Sequence, residues 1–116
     1  MEVVFIDSND KRRSLYRIYL ENILEDCQVH EFFSFRLAEE FLSKRKGEGR
    51  PFSFVLANNE VKEGEGAFGD FYQKFGVHFK TVPFVVFSED PLNMVEGLEG
   101  FENHHPQNKH IQIPIS

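Results

Sequence analysis

The chain has 116 residues, 41% of them hydrophobic, and a formal charge of −6, so it is long enough for one domain with its own core and too short for two. The acidic balance argues against direct nucleic-acid binding, which needs a clustered basic surface. The single Cys27 excludes an internal disulfide, and no basic leader or long apolar run is present, so we expect a cytoplasmic protein that stays out of membranes.

The first part of the chain alternates between apolar runs and segments with helical spacing. Residues 3–6 predict a buried strand, and the polar residues 7–10 predict the cap of a following helix. A second strand is expected over residues 28–33, and Ser34 is a suitable N-cap for the next helix. The first helix has apolar residues at helical spacing: Leu15, Tyr16, Tyr19, Leu20, Ile23 and Leu24.

The apolar run over residues 52–57 predicts the central strand of a parallel sheet, buried on both faces. Asn58 and Asn59 follow it directly. In open α/β sheets the ligand crevice lies beyond the carboxyl ends of such strands, so these two amides are expected at a functional edge.

The second part of the chain continues the alternation. A third helix is predicted from Phe68, Phe71, Tyr72 and Phe75, with Gly76 at its end. Residues 82–87 predict a fourth strand, Pro91 suits the start of a fourth helix, and residues 110–113 predict a short fifth strand. Five strands alternating with four helices predict an α/β fold with a doubly wound parallel sheet.

This order resembles a bacterial response-regulator receiver domain over essentially the whole chain. The resemblance implies a five-stranded parallel sheet in the flavodoxin-like order 2-1-3-4-5. It also implies transfer of a phosphoryl group from a histidine kinase to an aspartate, aided by Mg²⁺. Residues 1–116 are therefore expected to form one receiver-like domain, the N-terminal part of a longer protein.

The landmarks of that family fall at strand ends. Asp7 keeps the first acid, and Ser8 stands where the second, metal-directed acid is usual. Asn58 stands at the phosphoacceptor position, and Ser88 keeps the hydroxyl that senses the phosphate. At the fifth strand Ile113 replaces the lysine before Pro114, and His110 takes the place of the switch aromatic residue on the recognition face.

These departures remove one chemical requirement each. The amide of Asn58 is not a nucleophile, the loss of carboxylates weakens a magnesium site, and Ile113 supplies no cation to offset phosphoryl charge. The resemblance therefore indicates a pseudo-receiver. Such a protein is not an enzyme, has no cofactor or metal, and regulates by protein–protein interaction in bacterial signalling without phosphorylation.

Three alternatives stay open. A one-residue offset would put Ala57 at the acceptor position, which leaves the chemistry equally absent. Asp10, Glu60 and Glu89 lie near the same strand ends and could supply a non-standard phosphoacceptor or a rearranged metal site. The vacated crevice could also bind a small ligand, which would make the protein a sensor.

Two further patterns suggest cofactors but have simpler interpretations. Residues 64–69 read G-x-G-x-x-G, yet they do not follow a strand directly and carry acidic neighbours that repel phosphate. His104, His105 and His110 lie in or beside a polar loop, without a nearby Cys. We interpret the first as an acidic loop and the second as solvated histidines.

The resemblance also implies a fifth helix, and the chain stops at Ser116 where that helix begins in receivers. One side of the sheet is then expected to lie partly bare, which normally marks an interface. We assign to one side of the sheet Val3, Phe5, Phe54, Leu56, Phe84 and Val86. The expected partner is a protein, an adjoining output domain or a second copy in a homodimer.

Overall fold

The computed structural model describes residues 1–45, 52–58, 68–76, 81–88 and 108–112. The predicted fourth helix and the pair Ile113 and Pro114 lie outside these residues. The elements in chain order are β1 (Glu2–Ile6), α1 (Asp10–Ile23), β2 (Gln28–Phe32), α2 (Phe35–Arg45), β3 (Phe54–Asn58), α3 (Phe68–Phe75), β4 (Phe84–Ser88) and β5 (Lys109–Gln112).

The strands form a parallel sheet in the order β2-β1-β3-β4-β5. The doubly wound α/β class with flavodoxin-like order is confirmed. The chain runs outward from β1 to β2 and then crosses back to β3 on the other side of β1. The strand order therefore reverses between β1 and β3, which is where open α/β sheets place their ligand crevice.

One face of the sheet packs against α2 and α3 and carries an aromatic core. Phe71 lies at its centre, with ring centroids 5.2 Å from Phe35, 5.3 Å from Phe75 and 6.2 Å from Phe84. The four apolar residues predicted for the third helix are all buried in this core: Phe68, Phe71, Tyr72 and Phe75. Their spacing at i, i+3, i+4 and i+7 gives α3 one continuous apolar face, as predicted.

The strand register corrects one sequence-based assignment. Phe84 is paired with Val55 and Val86 with Ala57, whereas Leu56 is paired with Val85. Paired residues of parallel strands share a face, so Phe84 and Val86 lie on the α2–α3 side, opposite Phe54 and Leu56. The assignment was wrong because alternation within a strand shows which of its residues share a face, but not which of those residues lie on the same face as a given residue of the neighbouring strand.

The opposite face is covered by α1, which buries none of its residues completely. Tyr16 packs against the sheet, with its ring 6.0 Å from Phe5 and 5.7 Å from Phe87. Several of the other apolar residues on α1 are exposed: Leu15, Ile18, Tyr19 and, at 73%, Ile23. The apolar spacing predicted a helix correctly, but this helix presents much of its apolar surface outward.

Asn108 attaches β5 to the rest of the fold. Its side-chain oxygen accepts a hydrogen bond from the Phe84 backbone N–H at 2.7 Å, and its amide nitrogen donates to the Tyr72 hydroxyl at 3.2 Å. Asn108 is buried, so these bonds satisfy polar groups that water cannot reach. One side chain thus joins the start of β5 to β4 and α3.

Glu2 connects three elements at the amino end of β1. Its carboxylate accepts hydrogen bonds from the Arg45 guanidinium at 3.2 and 3.0 Å, and His30 Nε2 lies 2.9 Å from Oε1. Arg45 also stacks 4.8 Å from the Phe52 ring centre. Hydrogen bonding to Arg45, and secondarily to His30, lowers the pKa of Glu2 from 4.5 to about 2.

The lowered pKa of Glu2 predicts a specific acid dependence of stability. The folded state binds this proton less tightly than the unfolded chain, so the contribution of Glu2 is complete above pH 4.5 and is lost as the pH falls toward 2. We expect Glu2→Gln to flatten the dependence of unfolding free energy on pH in that window. The measurement is urea unfolding of both proteins from pH 2 to 7, and parallel curves for the two would contradict the assignment.

Candidate functional site

Three of the predicted pocket residues lie at the carboxyl ends of neighbouring strands. Asp7 follows β1, Asn58 is the last residue of β3, and Ser88 is the last residue of β4. Adjacent strands lie about 4.8 Å apart, so these three positions share one edge of the sheet. Asp7 and Asn58 are both 0% exposed and Ser88 is also buried, so this is a buried polar site.

The register decides which residue of β3 lies beside Asp7. Ala57 is paired with Ile6 of β1 and with Val86 of β4, within the apolar part of the sheet. Asn58 comes one residue later, as Asp7 comes one residue after Ile6. The structure therefore places Asn58, and not Ala57, at the strand end next to the remaining acid.

The other predicted residues lie further from this centre or outside the described chain. Ser8 is half-buried in the turn after β1. His110 lies on β5, with its backbone paired to Val86. Ile113 and Pro114, which stand for the family's lysine–proline pair, are outside the described residues.

The Asp7 carboxylate is held by Arg12 from the first turns of α1. Arg12 Nε donates to Oδ2 at 2.6 Å, and Nη2 donates to Oδ1 at 3.0 Å. The backbone N–H of Asn9 donates a further hydrogen bond to Oδ1 at 2.9 Å. This is a bidentate guanidinium–carboxylate pair, a geometry that neutralises the charge and also fixes the orientation of both groups.

A second arginine closes the same turn. Arg13 Nη1 donates to the backbone carbonyl of Asp7 at 2.7 Å, and Nη2 donates to Asp10 at 2.6 Å. The Asp10 side chain is 85% exposed, so this outer pair is a solvated one. Two arginines and two aspartates thus balance in charge around the end of β1.

The contacts of Arg12 and Arg13 with Asp7 were not predicted from the sequence, because only residues at strand ends were considered as site residues. The signal was the distance of the two arginines from Asp7, five and six residues along the chain. With Asn9 capping α1 through a 2.9 Å bond from the Arg12 N–H, the helix begins directly after a short turn. Its first turn therefore returns over the end of β1, where a side chain as long as arginine reaches the aspartate.

The donor set at this edge does not fit the magnesium ion that the receiver resemblance implies. Mg²⁺ prefers several carboxylate or water oxygens in an octahedral arrangement. Here Asp7 is bound by a cation of the protein itself, and the neighbouring positions are the hydroxyl of Ser8 and the amide of Asn58. Within the described ranges no three His, Cys, Asp or Glu residues are grouped so that they could hold a metal ion.

The alternative carboxylates gain no support from the described residues. Asp10 is turned to solvent and paired with Arg13, while Glu60 and Glu89 lie outside the described ranges. An open cleft between α2 and α3 is lined by Arg36, Glu39, Glu40, Ser43, Lys44 and Lys74. It includes no residue of the strand-end site.

None of the helices in the described ranges is both long and apolar enough to cross a membrane.

Comparison with solved structures identifies the architecture. No protein-family model matches the sequence, and no curated protein does. The chain superimposes along its full length on 88% of a CheY-like receiver domain from Methylobacillus flagellatus, with a TM-score of 0.73 and 15% identity. The fold is that of a response-regulator receiver domain.

Two further receiver structures show the same similarity. One is the N-terminal domain of a response regulator/sensory box/GGDEF three-domain protein from Carboxydothermus hydrogenoformans, with a TM-score of 0.71, 13% identity and coverage of 97% of this chain and 81% of that one. The other is the RcsB response regulator of Salmonella typhimurium, with a TM-score of 0.71 and 16% identity over 97% of this chain and 53% of that one. At this identity the similarity concerns the fold.

Replacing Asn58 with aspartate tests whether a carboxylate at this position is sufficient for phosphorylation, and what it costs in stability. We expect Asn58→Asp to lower the unfolding free energy by about 2 kcal/mol, because a second buried carboxylate adjoins Asp7. We also expect no phosphorylation by acetyl phosphate with Mg²⁺, since a nucleophile alone lacks charge stabilisation.

The matched control is Asn9→Asp, the same substitution at an exposed N-cap where aspartate is equally suitable. Urea unfolding and intact mass are measured for both variants. Equal stabilities, or a phosphoryl adduct on Asn58→Asp, would contradict the interpretation.

Proposed function

We propose that this chain is a receiver-like module that regulates through protein–protein contact, without being phosphorylated, in bacterial signalling. The observation that carries the proposal is the pairing at the strand ends. A neutral amide, Asn58, stands at the acceptor position, and the adjacent Asp7 is engaged by Arg12. On this proposal the module is not an enzyme and needs no cofactor.

The chemistry of phosphoryl acceptance supports this reading. An acyl phosphate forms when a carboxylate oxygen attacks phosphorus, and an amide oxygen is too weak a nucleophile for that step. The transferred group also needs cationic stabilisation, and the guanidinium in this pocket is already neutralised by Asp7. In this proposal the buried hydroxyl of Ser88 has a structural role at the end of β4 and does not sense a phosphoryl group.

The direct test is exposure to a small phosphodonor. We expect no added phosphoryl mass after incubation with acetyl phosphate, with or without Mg²⁺, when intact mass is measured under conditions that preserve acyl phosphates. A phosphorylatable receiver treated in parallel shows that the conditions work. A stoichiometric adduct on any Asp or Glu would overturn the proposal in favour of a non-standard phosphoacceptor.

The exposed apolar surface of α1 supports a role in association. Leu15, Ile18, Tyr19 and Ile23 follow each other at helical spacing and form the α1 stripe, the name used here for these four residues. On the same side of the sheet Phe54, Leu56 and Val85 are half-buried, although they lie in inner strands. Exposed apolar residues grouped in this way are typical of an interface.

The charges along α1 favour a second copy of the chain as the occupant. Lys11 is exposed in the first turn, where Arg12 and Arg13 are already paired with Asp7 and Asp10. Glu25 and Asp26 follow the helix, and its last turn has no basic residue. This polarity opposes the helix dipole. It becomes favourable when two α1 helices pack antiparallel, because each basic end then meets an acidic end, as the self-complementary interface of a two-fold dimer requires.

The centre of the proposed antiparallel pair of α1 helices would lie within the α1 stripe. Lys11 and Asp26 are equally distant in sequence from the point between Ile18 and Tyr19. A two-fold axis there brings Lys11 toward Asp26 of the partner subunit while the two stripes cover each other. We propose this homodimer as the principal assembly, with a heterologous protein or an output domain as the competing occupant.

We expect light scattering to show a dimer whose fraction rises with protein concentration. Ile18→Glu should give a monomer, because it places a charge at the centre of the interface, and Lys11→Glu should weaken the dimer by removing an end-to-end charge pair. Ser43→Glu, on an exposed position of α2, is the matched control and should leave the dimer intact. A wild-type monomer at high concentration that does not bind a hydrophobic dye would contradict the assembly.

The β5 edge is the second proposed contact surface. β5 is an outer strand of the sheet, and its Ile111 side chain is 45% exposed. His110, at the position of the family's switch residue, lies on the same strand. In this proposal partners recognise the β5 edge in one conformation, because no phosphorylation changes it.

A further inference from the structure

We propose that Arg12 is the resident counter-ion of the strand-end pocket and takes the place that a divalent cation has in phosphorylatable receivers. The inference deepens the proposed function and rests on it, since a pocket with its own fixed cation is not prepared for phosphoryl transfer. It assigns a positioning role to Arg12: this residue holds Asp7, the end of β1 and the start of α1 in one arrangement.

The burial of Asp7 creates the need for a cation. The Asp7 side chain is fully buried, and a buried carboxylate without a partner is strongly destabilising. In a site that contains Mg²⁺, the ion satisfies this charge. Here the two carboxylate oxygens receive three donors from the chain itself, two from Arg12 and one from the Asn9 backbone.

The position of Arg12 connects the pocket to the rest of the fold. Its guanidinium carbon lies 5.6 Å from the centre of the Phe87 ring, so the same group that binds the end of β1 also packs on β4. The Arg12 side chain is only 14% exposed, which shields the pair from competition by water and salt. Phe87 in turn packs 5.7 Å from Tyr16, the residue through which α1 contacts the sheet.

Arg13 reinforces the arrangement without taking the same role. It binds the Asp7 carbonyl and the exposed Asp10 carboxylate, but not the Asp7 carboxylate. The buried charge is therefore neutralised by Arg12, and Arg13 fixes the backbone of the turn. A metal ion that binds Asp7 would have to compete with Arg12, and its displacement would leave a largely buried guanidinium without this carboxylate.

The decisive comparison is between Arg12→Gln and Arg17→Gln. Arg17 lies on the same helix but pairs with Glu31 and Glu21 at a more exposed position. We expect Arg12→Gln to lower the melting temperature by about 10 °C or more and Arg17→Gln by only a few degrees. Mn²⁺ at millimolar concentration should restore part of the loss in Arg12→Gln and leave wild type and Arg17→Gln unchanged.

The location of the ion is read by NMR. In Arg12→Gln, Mn²⁺ should broaden the amide signals of residues 7–10 selectively, and in wild type these signals should persist. Removing both charges, in Asp7→Asn with Arg12→Gln, should give a more stable protein than Arg12→Gln alone, because no buried carboxylate is left without a partner. Arg12→Lys keeps a positive charge and should fold without responding to Mn²⁺.

Several results would overturn the inference. Selective broadening at residues 7–10 in wild type would show that a divalent cation binds in spite of Arg12. The inference also fails if Arg12→Gln is as stable as Arg17→Gln or shows no Mn²⁺ effect. If Arg12→Gln does not fold, the test uses wild type and Arg12→Lys. Amide signals of residues 7–10 that persist with Mn²⁺ in both proteins support the inference, and selective broadening overturns it. A phosphoryl adduct without Mn²⁺ binding would contradict the proposed function and leave the assignment of Arg12 standing.

Discussion

The architecture depends on how the charged residue at each end of β1 is neutralised. The four residues between Glu2 and Asp7 are completely buried, so β1 is fixed in the centre of the sheet by apolar contacts on both faces. Its flanking carboxylates cannot move away from that position. Arg45, at the end of α2, neutralises Glu2, and Arg12, at the start of α1, neutralises Asp7.

These two ion pairs differ in environment and therefore in effect. Glu2 is partly exposed and shares its carboxylate between Arg45 and His30, which makes it a connection among β1, β2 and α2. Asp7 is fully buried and bound in a bidentate manner, so the loss of its partner is expected to cost more stability than the loss of a partner of Glu2. The Asn9 cap sets the start of α1, and the pairing of Arg12 with Asp7 then connects its first turn to the end of β1.

The sequence was sufficient to predict the fold class because its strands are short apolar runs between polar residues. Residues 3–6 are apolar and are followed by four polar residues, so that strand and the helix after it were predictable. Strand ends near Asn58 and Ser88 followed from the same contrast in polarity. The spacing of Phe68, Phe71, Tyr72 and Phe75 likewise specified both α3 and its buried face.

What the sequence could not supply was the relation between elements. The register of β4 on β3 pairs Phe84 with Val55 and Val86 with Ala57, and the alternation within each strand does not specify that pairing. The apolar residues of α1 predicted a helix without indicating which of them face the sheet. Tyr16 does so, whereas Tyr19 and Ile23 are exposed. The pairing of Arg12 with Asp7 was also hidden, because it depends on the helix returning over the strand.

The same relation explains how a receiver fold accommodates the residues that this chain has at its strand ends. In an acidic strand-end pocket, like charges at close range destabilise the protein unless a metal ion is present. Here Ser8 and Asn58 remove two potential charges, and Arg12 neutralises the one that remains. Each change reduces the need for an external ion, and together they leave a pocket whose charge is balanced within the chain. In the proposed function, the arrangement does not depend on a bound ion or a phosphoryl group, so the α1 stripe and the β5 edge would be presented to partners in one constant form.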